Sequence, residues 1–124
     1  MAHGFDPTDF ELVRQIALEF PGTQESISHN GTPSIKLRGK LLCRVHENGQ
    51  IIPIQVGFGL RDELLEAYPE HFHLPEHFRA YPYIALWASC RDRALIRDTL
   101  HKAWQGLASP RQLAQWNERN PPSR

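Results

Sequence analysis

Three histidines lie close together, at His71, His73 and His77, in a stretch punctuated by proline. If this stretch is extended, His71 and His73 share a side, and two imidazoles on one side could ligate a divalent metal. The spacing matches neither an HExxH helix nor a zinc finger, and no Cys or Asp completes a ligand set. We therefore predict a surface turn with no bound metal.

The two cysteines, Cys43 and Cys90, are too far apart in sequence for a redox or metal motif. Neither has an adjacent base that would activate a thiol, and spacing assembles no Ser/His/Asp set or carboxylate pair. We expect a protein that is not an enzyme and uses no cofactor. Two unpaired cysteines also suit a reducing compartment, which favours the cytoplasm.

A basic stretch offers a different chemistry. Residues 36–46 carry four cations and no acid, in a chain whose formal net charge is zero: Lys36, Arg38, Lys40 and Arg44. On a β-hairpin such side chains could neutralise the phosphates of DNA. Cations are equally normal on the solvent face of an antiparallel sheet, so both interpretations stay open.

A second candidate surface is apolar and aromatic. Strand alternation places four side chains on the same outward face as Arg44: Leu42, Ile51, Tyr83 and Trp87. If exposed, they would form a recognition surface for bases or for a protein partner. The alternative is that the C-terminal segment covers them through Leu113 and Trp116.

Elements that position these residues can be read from periodicity and turn chemistry. A first helix, ended by Pro21-Gly22, repeats its apolar residues at helical spacing: Phe10, Val13, Ile16, Ala17 and Phe20. A strand containing Ile35 and Leu37 follows, and a strand containing Leu41, Cys43 and Val45 comes next. All five face inward if Leu37 pairs with Leu41 across a three-residue loop, 38–40.

The dipeptide Asn48-Gly49 predicts a second hairpin that pairs Cys43 with Ile54. Pro53 lacks an N–H, so we expect its strand to be an edge or bulged there. A short helix at 61–68 is predicted to bury Leu64, Leu65 and Tyr68. A strand at 83–89 and a helix at 92–107 follow, the helix burying Ile96, Leu100, Ala103, Trp104 and Leu107.

The pattern predicts an α+β domain in which an antiparallel meander carries the N- and C-terminal helices on one face, the other face meeting solvent. Ser109-Pro110 can start a short helix through Trp116, followed by a frayed tail from Asn117. No signal peptide and no apolar run long enough for a membrane are present, so we expect a cytoplasmic monomer without a membrane partner.

The order of these elements, with the stretches FPGTQESISHNGTPSIKLRGKLLCRV and YPEHFHLPEHF…YPYIALW, resembles the MmcQ/YjbR family of small bacterial proteins. The resemblance covers Asp9 to Gly106. It implies a frataxin-like fold, also described as a double wing, and the label "DNA-binding", but no reaction, ligand or catalytic residue. We therefore expect one family-like domain at residues 1–108. The added segment, 109–124, departs from the family pattern.

Two functions follow from these features. The first is a DNA-binding domain that uses the basic hairpin, with affinity that falls steeply with salt. The second is a protein-interaction module that uses the aromatic and apolar face, with affinity largely indifferent to salt.

Overall fold

The computed structural model describes residues 7–28, 31–46 and 48–121, and within the first helix it describes side chains from Phe10 onwards. These residues form four helices, six strands and one 3₁₀ turn, which follow one another in this order: α1 Pro7–Ala17, β1 Thr23–Ile27, β2 Pro33–Leu37, β3 Lys40–Arg44, β4 Ile51–Gln55, α2 Phe58–Ala67, β5 Phe72–His73, the 3₁₀ turn Glu76–Phe78, β6 Tyr83–Trp87, α3 Arg93–Leu107 and α4 Pro110–Arg119.

The strands form a single antiparallel sheet in the order β1-β2-β3-β4-β6-β5. The predicted α+β class is confirmed. In the described part of the chain, every helix is too short or too polar to span a bilayer.

The main core lies between one face of the sheet, called here the inner face, and the helices. Alternate residues of four strands point into it, as the period of two requires: Ile35, Leu37, Cys43, Ile52, Ile54, Ile84 and Leu86. The residues predicted to be buried in the first and third helices are all buried there.

Local chemistry explains how α3 begins and how it packs. The Asp92 side chain accepts a hydrogen bond from the Leu95 N–H at 3.1 Å, which makes Asp92 the N-cap. Trp104 is fully buried, and its indole N–H donates to the Pro21 carbonyl at 2.9 Å. That bond satisfies the one polar group of the ring and ties α3 to the end of the first helical segment.

The hairpin β2–β3 differs from its prediction in register. Leu37 pairs with Lys40 rather than with Leu41, across a two-residue turn in which Arg38 and Gly39 both have positive φ, 55° and 76°. A bulge follows, because Leu41 lies opposite Lys36 while Cys43 lies opposite Ile35. Leu42 is the extra residue.

Because of this bulge, Leu41 and Leu42 lie on the opposite faces of the sheet from those predicted. Leu41 stands on the outer face of the sheet, beside Lys36, while Leu42 is fully buried in the main core. The prediction that Leu41 faces inward and Leu42 outward is therefore wrong. The loop is one residue shorter than expected, and the bulge restores the inward position of Cys43.

Strand β4 lies inside the sheet, between β3 and β6, so the prediction of an edge at Pro53 is wrong. The predicted pairing of Cys43 with Ile54 is confirmed. The Ile51 carbonyl accepts a hydrogen bond from the His46 N–H. Every second residue of β4 from Ile51 therefore directs its backbone N–H and C=O groups towards β3, and Pro53 is one of these residues. The ladder between β3 and β4 therefore lacks the hydrogen bond that the Pro53 nitrogen cannot donate, and the two strands pair regularly only at Cys43 and Ile54.

The outer face of the sheet is covered along part of its area, where we expected solvent. Phe78, on the 3₁₀ turn, packs with Ile51 and Ala85 in a second small cluster that Leu74, Tyr83 and Trp87 border. Arg61 of α2 holds this covering segment. Its Nη1 lies 2.6 Å from the Tyr81 carbonyl, 3.3 Å from that of Arg79 and 3.4 Å from that of Phe78.

Helix α2 begins earlier and buries less than predicted. It starts at Phe58, with Gly57 as N-cap, and ends at Ala67. Leu64 is buried in the main core as expected, whereas Tyr68 is exposed. The prediction for Tyr68 is wrong: as the C-cap of the helix it packs edge to face on Phe72, with 6.4 Å between the ring centres, and the rest of its side chain is exposed.

Helix α4 begins where predicted, at a complete capping box of Ser109 and Gln112, but it continues to Arg119 instead of fraying from Asn117. Residues 122–124 of the predicted tail lie outside the described residues. Trp116 packs on the helical layer, 5.0 Å from the Phe20 ring and 4.9 Å from that of His101. Leu113 and Trp116 both pack against the main core, so the C-terminal segment is not what covers the outer face.

Strand β1, at one edge of the sheet, was not predicted. Its sequence, TQESI, is mostly polar, and Glu25 is directed towards the helical side. There Arg14 of α1 forms two hydrogen bonds with the Glu25 carboxylate, at 2.9 and 3.1 Å, which lower the carboxyl pKa. The pair joins the edge strand to the first helix.

Candidate functional site

A cleft opens on the uncovered part of the outer face. Its volume is about 410 Å³, and its walls come from β2, β3, β6 and the residue after β1: Ser28, Lys36, Leu41, Arg44 and Tyr83. We call this surface the outer-face cleft. Lys36 and Arg44 reach it through strand alternation, while Leu41 reaches it because of the bulge at Leu42.

The four cations of the basic stretch separate into two groups. Lys36 and Arg44 line the outer-face cleft, both half-buried. Lys40 pairs with Leu37, an inward residue, and so belongs to the helical side of the hairpin, where it is exposed. Arg38 also turns that way, because its Nη1 donates to the Leu107 carbonyl at 3.2 Å, at the end of α3.

The electrostatics of the outer-face cleft follow from these positions. Among the described residues, none forms an ion pair or a hydrogen bond with the Lys36 ammonium group. Arg44 donates to the Val45 carbonyl at 3.3 Å. Two cations on one concave, partly apolar surface attract anions more strongly than the same charges on a convex one.

An aromatic wall borders the cleft. The Tyr83 ring lies 6.0 Å from Phe78, edge to face, and 6.4 Å from Tyr81, at a tilt of 31°. Phe78 is buried and supports the wall from behind, whereas Tyr81 is 54% exposed. The side chains beside the two cations can therefore stack with a planar group.

Ser34 adds an unused hydrogen-bonding group beneath the cleft. It pairs with Arg44 across the strands and is 1% exposed. Its hydroxyl has no hydrogen-bond partner among the described residues. A buried hydroxyl without a partner is uncommon in native proteins.

The predicted apolar face is only partly present. Leu42 and Ile51 are buried, Leu42 in the main core and Ile51 under Phe78, so neither adds to an exposed recognition surface and the outward placement of Leu42 is wrong. Tyr83 lines the outer-face cleft. Trp87 lies farther along β6, stacked on His73 at 5.1 Å, beside a separate cavity of about 280 Å³.

The three histidines of the proline-punctuated stretch do not converge. His73 stacks on Trp87, His77 lies 5.8 Å from the ring of His46, and His71 is 3.9 Å from the carboxylate of Glu70. Across the part of the chain that the structure describes, no three His, Cys, Asp or Glu side chains are grouped so as to hold a metal ion. The stretch forms β5 and the segment that covers the outer face.

Neither cysteine is placed for nucleophilic chemistry. Cys43 is completely buried, and desolvation raises the pKa of its thiol to about 12. Cys90 is also buried and unbonded. At neutral pH the Cys43 side chain is a small apolar group of the core.

Sequence reasoning missed Leu41, Ser28, Ser34 and Tyr81 as residues in or near the cleft. The sequence did carry a signal for the position of Leu41. Arg38-Gly39, read as a two-residue turn, would have required Leu41 to stand opposite Lys36 on the outer face. Tyr81 and the cover over Ile51 depend on long-range packing and leave no local signal.

Comparisons with protein-family models, with curated proteins and with solved structures find no significant match to this chain.

Proposed function

We propose that this protein binds DNA through the outer-face cleft. The observation that carries the proposal is the meeting of Lys36 and Arg44 with Leu41 and Tyr83 on one concave surface. Cations that line a groove can track the phosphate backbone, and an aromatic ring and an apolar side chain can contact bases.

Because the formal net charge of the chain is zero, we assign the electrostatic attraction to the local cations of the cleft. With two cations engaged, log K should fall with log salt concentration with a slope of about −1.4 for a single strand or −1.8 for a duplex. A protein that bound DNA with its whole surface would show a much steeper slope.

The test is fluorescence anisotropy of a short labelled oligonucleotide, titrated with the protein at about 50 and 200 mM salt. Lys36→Gln should weaken binding and reduce the salt slope by about one half, since one of two phosphate contacts is lost. Lys40→Gln is the matched control, because it makes the same chemical change on the same hairpin but on the helical side.

Equal losses for Lys36→Gln and Lys40→Gln would mean that the hairpin attracts DNA by charge alone, without the cleft. Absence of binding at low salt would refute the proposal. Binding to a protein partner through Leu42 and Ile51 has no support here, because both side chains are buried.

We also infer that the fold is of the frataxin-like, double-wing kind, in keeping with the resemblance to the MmcQ/YjbR family. Support comes from the order of its elements, in which a helix, an antiparallel sheet and a long helix follow one another and share one core. An experimental structure that superposes on a frataxin-like protein over the sheet, α1 and α3 would test this inference.

A further inference from the structure

The shape of the sheet bears on which form of DNA the outer-face cleft can accept. The major groove of a duplex is about 12 Å wide and admits a helix or a two-stranded ribbon. Here β2 and β3 lie inside a six-stranded sheet, with β1 on one side and β4 on the other. Six strands spaced about 4.8 Å apart are roughly 24 Å across, twice the width of the groove.

The tip of the hairpin does not project beyond its neighbours either. Thr23 of β1 pairs with Leu37, the last residue before the turn, so β1 accompanies β2 to its end. Arg38, in the turn, is held to the Leu107 carbonyl of α3. The hairpin is therefore a fixed part of the sheet and cannot enter a groove as a ribbon.

The cations are recessed rather than prominent. Lys36 and Arg44 are both half-buried and share the cleft with a half-buried Tyr83. Phosphates on the outside of a rigid duplex would have to descend into this cleft, whereas an unpaired strand can bend into it. The volume of about 410 Å³ is that of a site for one small ligand, such as a single unstacked nucleotide.

The aromatic wall offers a contact for a base, as the two cations offer contacts for phosphates. A base stacks readily on a tyrosine ring, and stacking requires that the base be unpaired and accessible from its face. Tyr83 contacts buried Phe78 on one side and exposed Tyr81 on the other, so the wall is buried at one end and open to solvent at the other.

From the flanked hairpin, the recessed cations and the aromatic wall, we infer that the outer-face cleft takes single-stranded DNA, with Lys36 and Arg44 on the phosphates and Tyr83 stacked on a base. This inference rests on the proposed function, since it names the form of DNA that the same site binds.

The experiment compares a labelled single strand with the duplex of the same sequence, at equal salt, on the unmodified protein. The single strand should bind more tightly. Tyr83→Leu should weaken single-strand binding by about 5- to 150-fold, the range for losing one stacked base. Tyr83→Phe keeps the ring and should retain affinity, and Tyr68→Leu, at the end of α2 away from the cleft, is the matched control.

A second readout detects stacking directly and does not depend on affinity. An oligonucleotide with 2-aminopurine in place of one adenine should lose fluorescence when bound by the unmodified protein and by Tyr83→Phe. It should keep its fluorescence with Tyr83→Leu at saturating protein, and thermal unfolding of each variant shows that the fold is retained.

The outcomes separate the two ideas. Duplex binding equal to or tighter than single-strand binding, with no effect of Tyr83→Leu, would overturn the inference and leave the proposed function standing. No binding of either form at low salt would overturn both. Preference for the single strand that survives Tyr83→Leu would remove the stacking role and refute the inference as stated.

Discussion

Replacing Arg61 with methionine tests whether one buried side chain holds the segment that covers the outer face. Methionine matches the unbranched part of the arginine side chain as far as Nε, so it keeps the apolar contacts of that part and removes every donor. The Arg61 Nη1 serves three carbonyls of the segment 78–81, of which Tyr81, at 2.6 Å, is the nearest. Without these bonds the carbonyls lose a buried partner.

The magnitude follows from the geometry. The Arg61 Nη1 carries two hydrogens, so it can form two full hydrogen bonds with the three carbonyls. Because the donor is charged and one of these bonds is long, we take their joint contribution to the free energy of unfolding as about 2–4 kcal/mol. Arg61 also has a buried Nε–H without a hydrogen-bond partner, since Asp62 is 3.9 Å away. Removing that group returns about 1 kcal/mol. We expect Arg61→Met to lower the free energy of unfolding by about 1–3 kcal/mol.

Urea denaturation measures this difference, and Arg79→Met is the control. Arg79 lies on the same segment, but it is exposed and paired only with Glu76 at 3.0 Å, so its loss should cost at most about 0.5 kcal/mol. Hydrogen exchange at the Tyr81 amide, which bonds to the Phe78 carbonyl, should accelerate in Arg61→Met alone. Equal destabilisation by both variants, or an unchanged Tyr81 amide, would refute this reasoning.

Two further predictions concern the bulge and the helical layer. Leu42→Ala should cost about 2–5 kcal/mol in the free energy of unfolding and Leu41→Ala below about 1 kcal/mol, and the reverse order would disprove the bulged register. Burial lowers the pKa of His101, opposed by Asp98 and assisted by Lys102, so its contribution to stability is complete above the unfolded pKa near 6.5 and is lost as pH falls through the lower folded value. His101→Phe should accordingly flatten the decline in unfolding free energy as the pH falls below about 6.5, measured by urea titration at each pH, and an unchanged decline would contradict the assignment.

The helices could be predicted because their signals are local. In α3 the apolar positions recur at helical spacing, and Asp92 supplies the cap three residues before the N–H it binds. The capping box at Ser109 is equally explicit in sequence. Pairing of Cys43 with Ile54 followed from alternation on both sides of the Asn48-Gly49 turn.

The wrong predictions concern positions where two local structures fit the sequence about equally well. The adjacent leucines 41 and 42 satisfy alternation equally well, and only the positive φ of Arg38 decides between a longer loop and a bulge. Pro53 argues for an edge, yet the burial of β4 between two strands outweighs one missing ladder bond. The cover provided by Phe78 depends on Arg61, seventeen residues away, and no periodicity reports such a contact.

For the candidate site, sequence placed Lys36, Arg44 and Tyr83 on one face, and the structure brings these three together. Sequence could not separate Lys40 and Arg38 from them, because the faces of turn residues depend on the turn type. It also could not show a concavity, since the cleft combines residues from four separate segments of the chain.

The ion pair between Arg14 and Glu25 has a consequence for the behaviour of the protein at high concentration. Strand β1 ends the sheet on one side, and an unpaired strand can recruit a second chain and begin aggregation. A charged glutamate directed at the helical layer, held by Arg14, would be stripped of its partner or buried if another sheet were added there. At the opposite end β5 is only two residues long, too short to template a growing ladder. Both features disfavour the addition of a second sheet at the borders of this one.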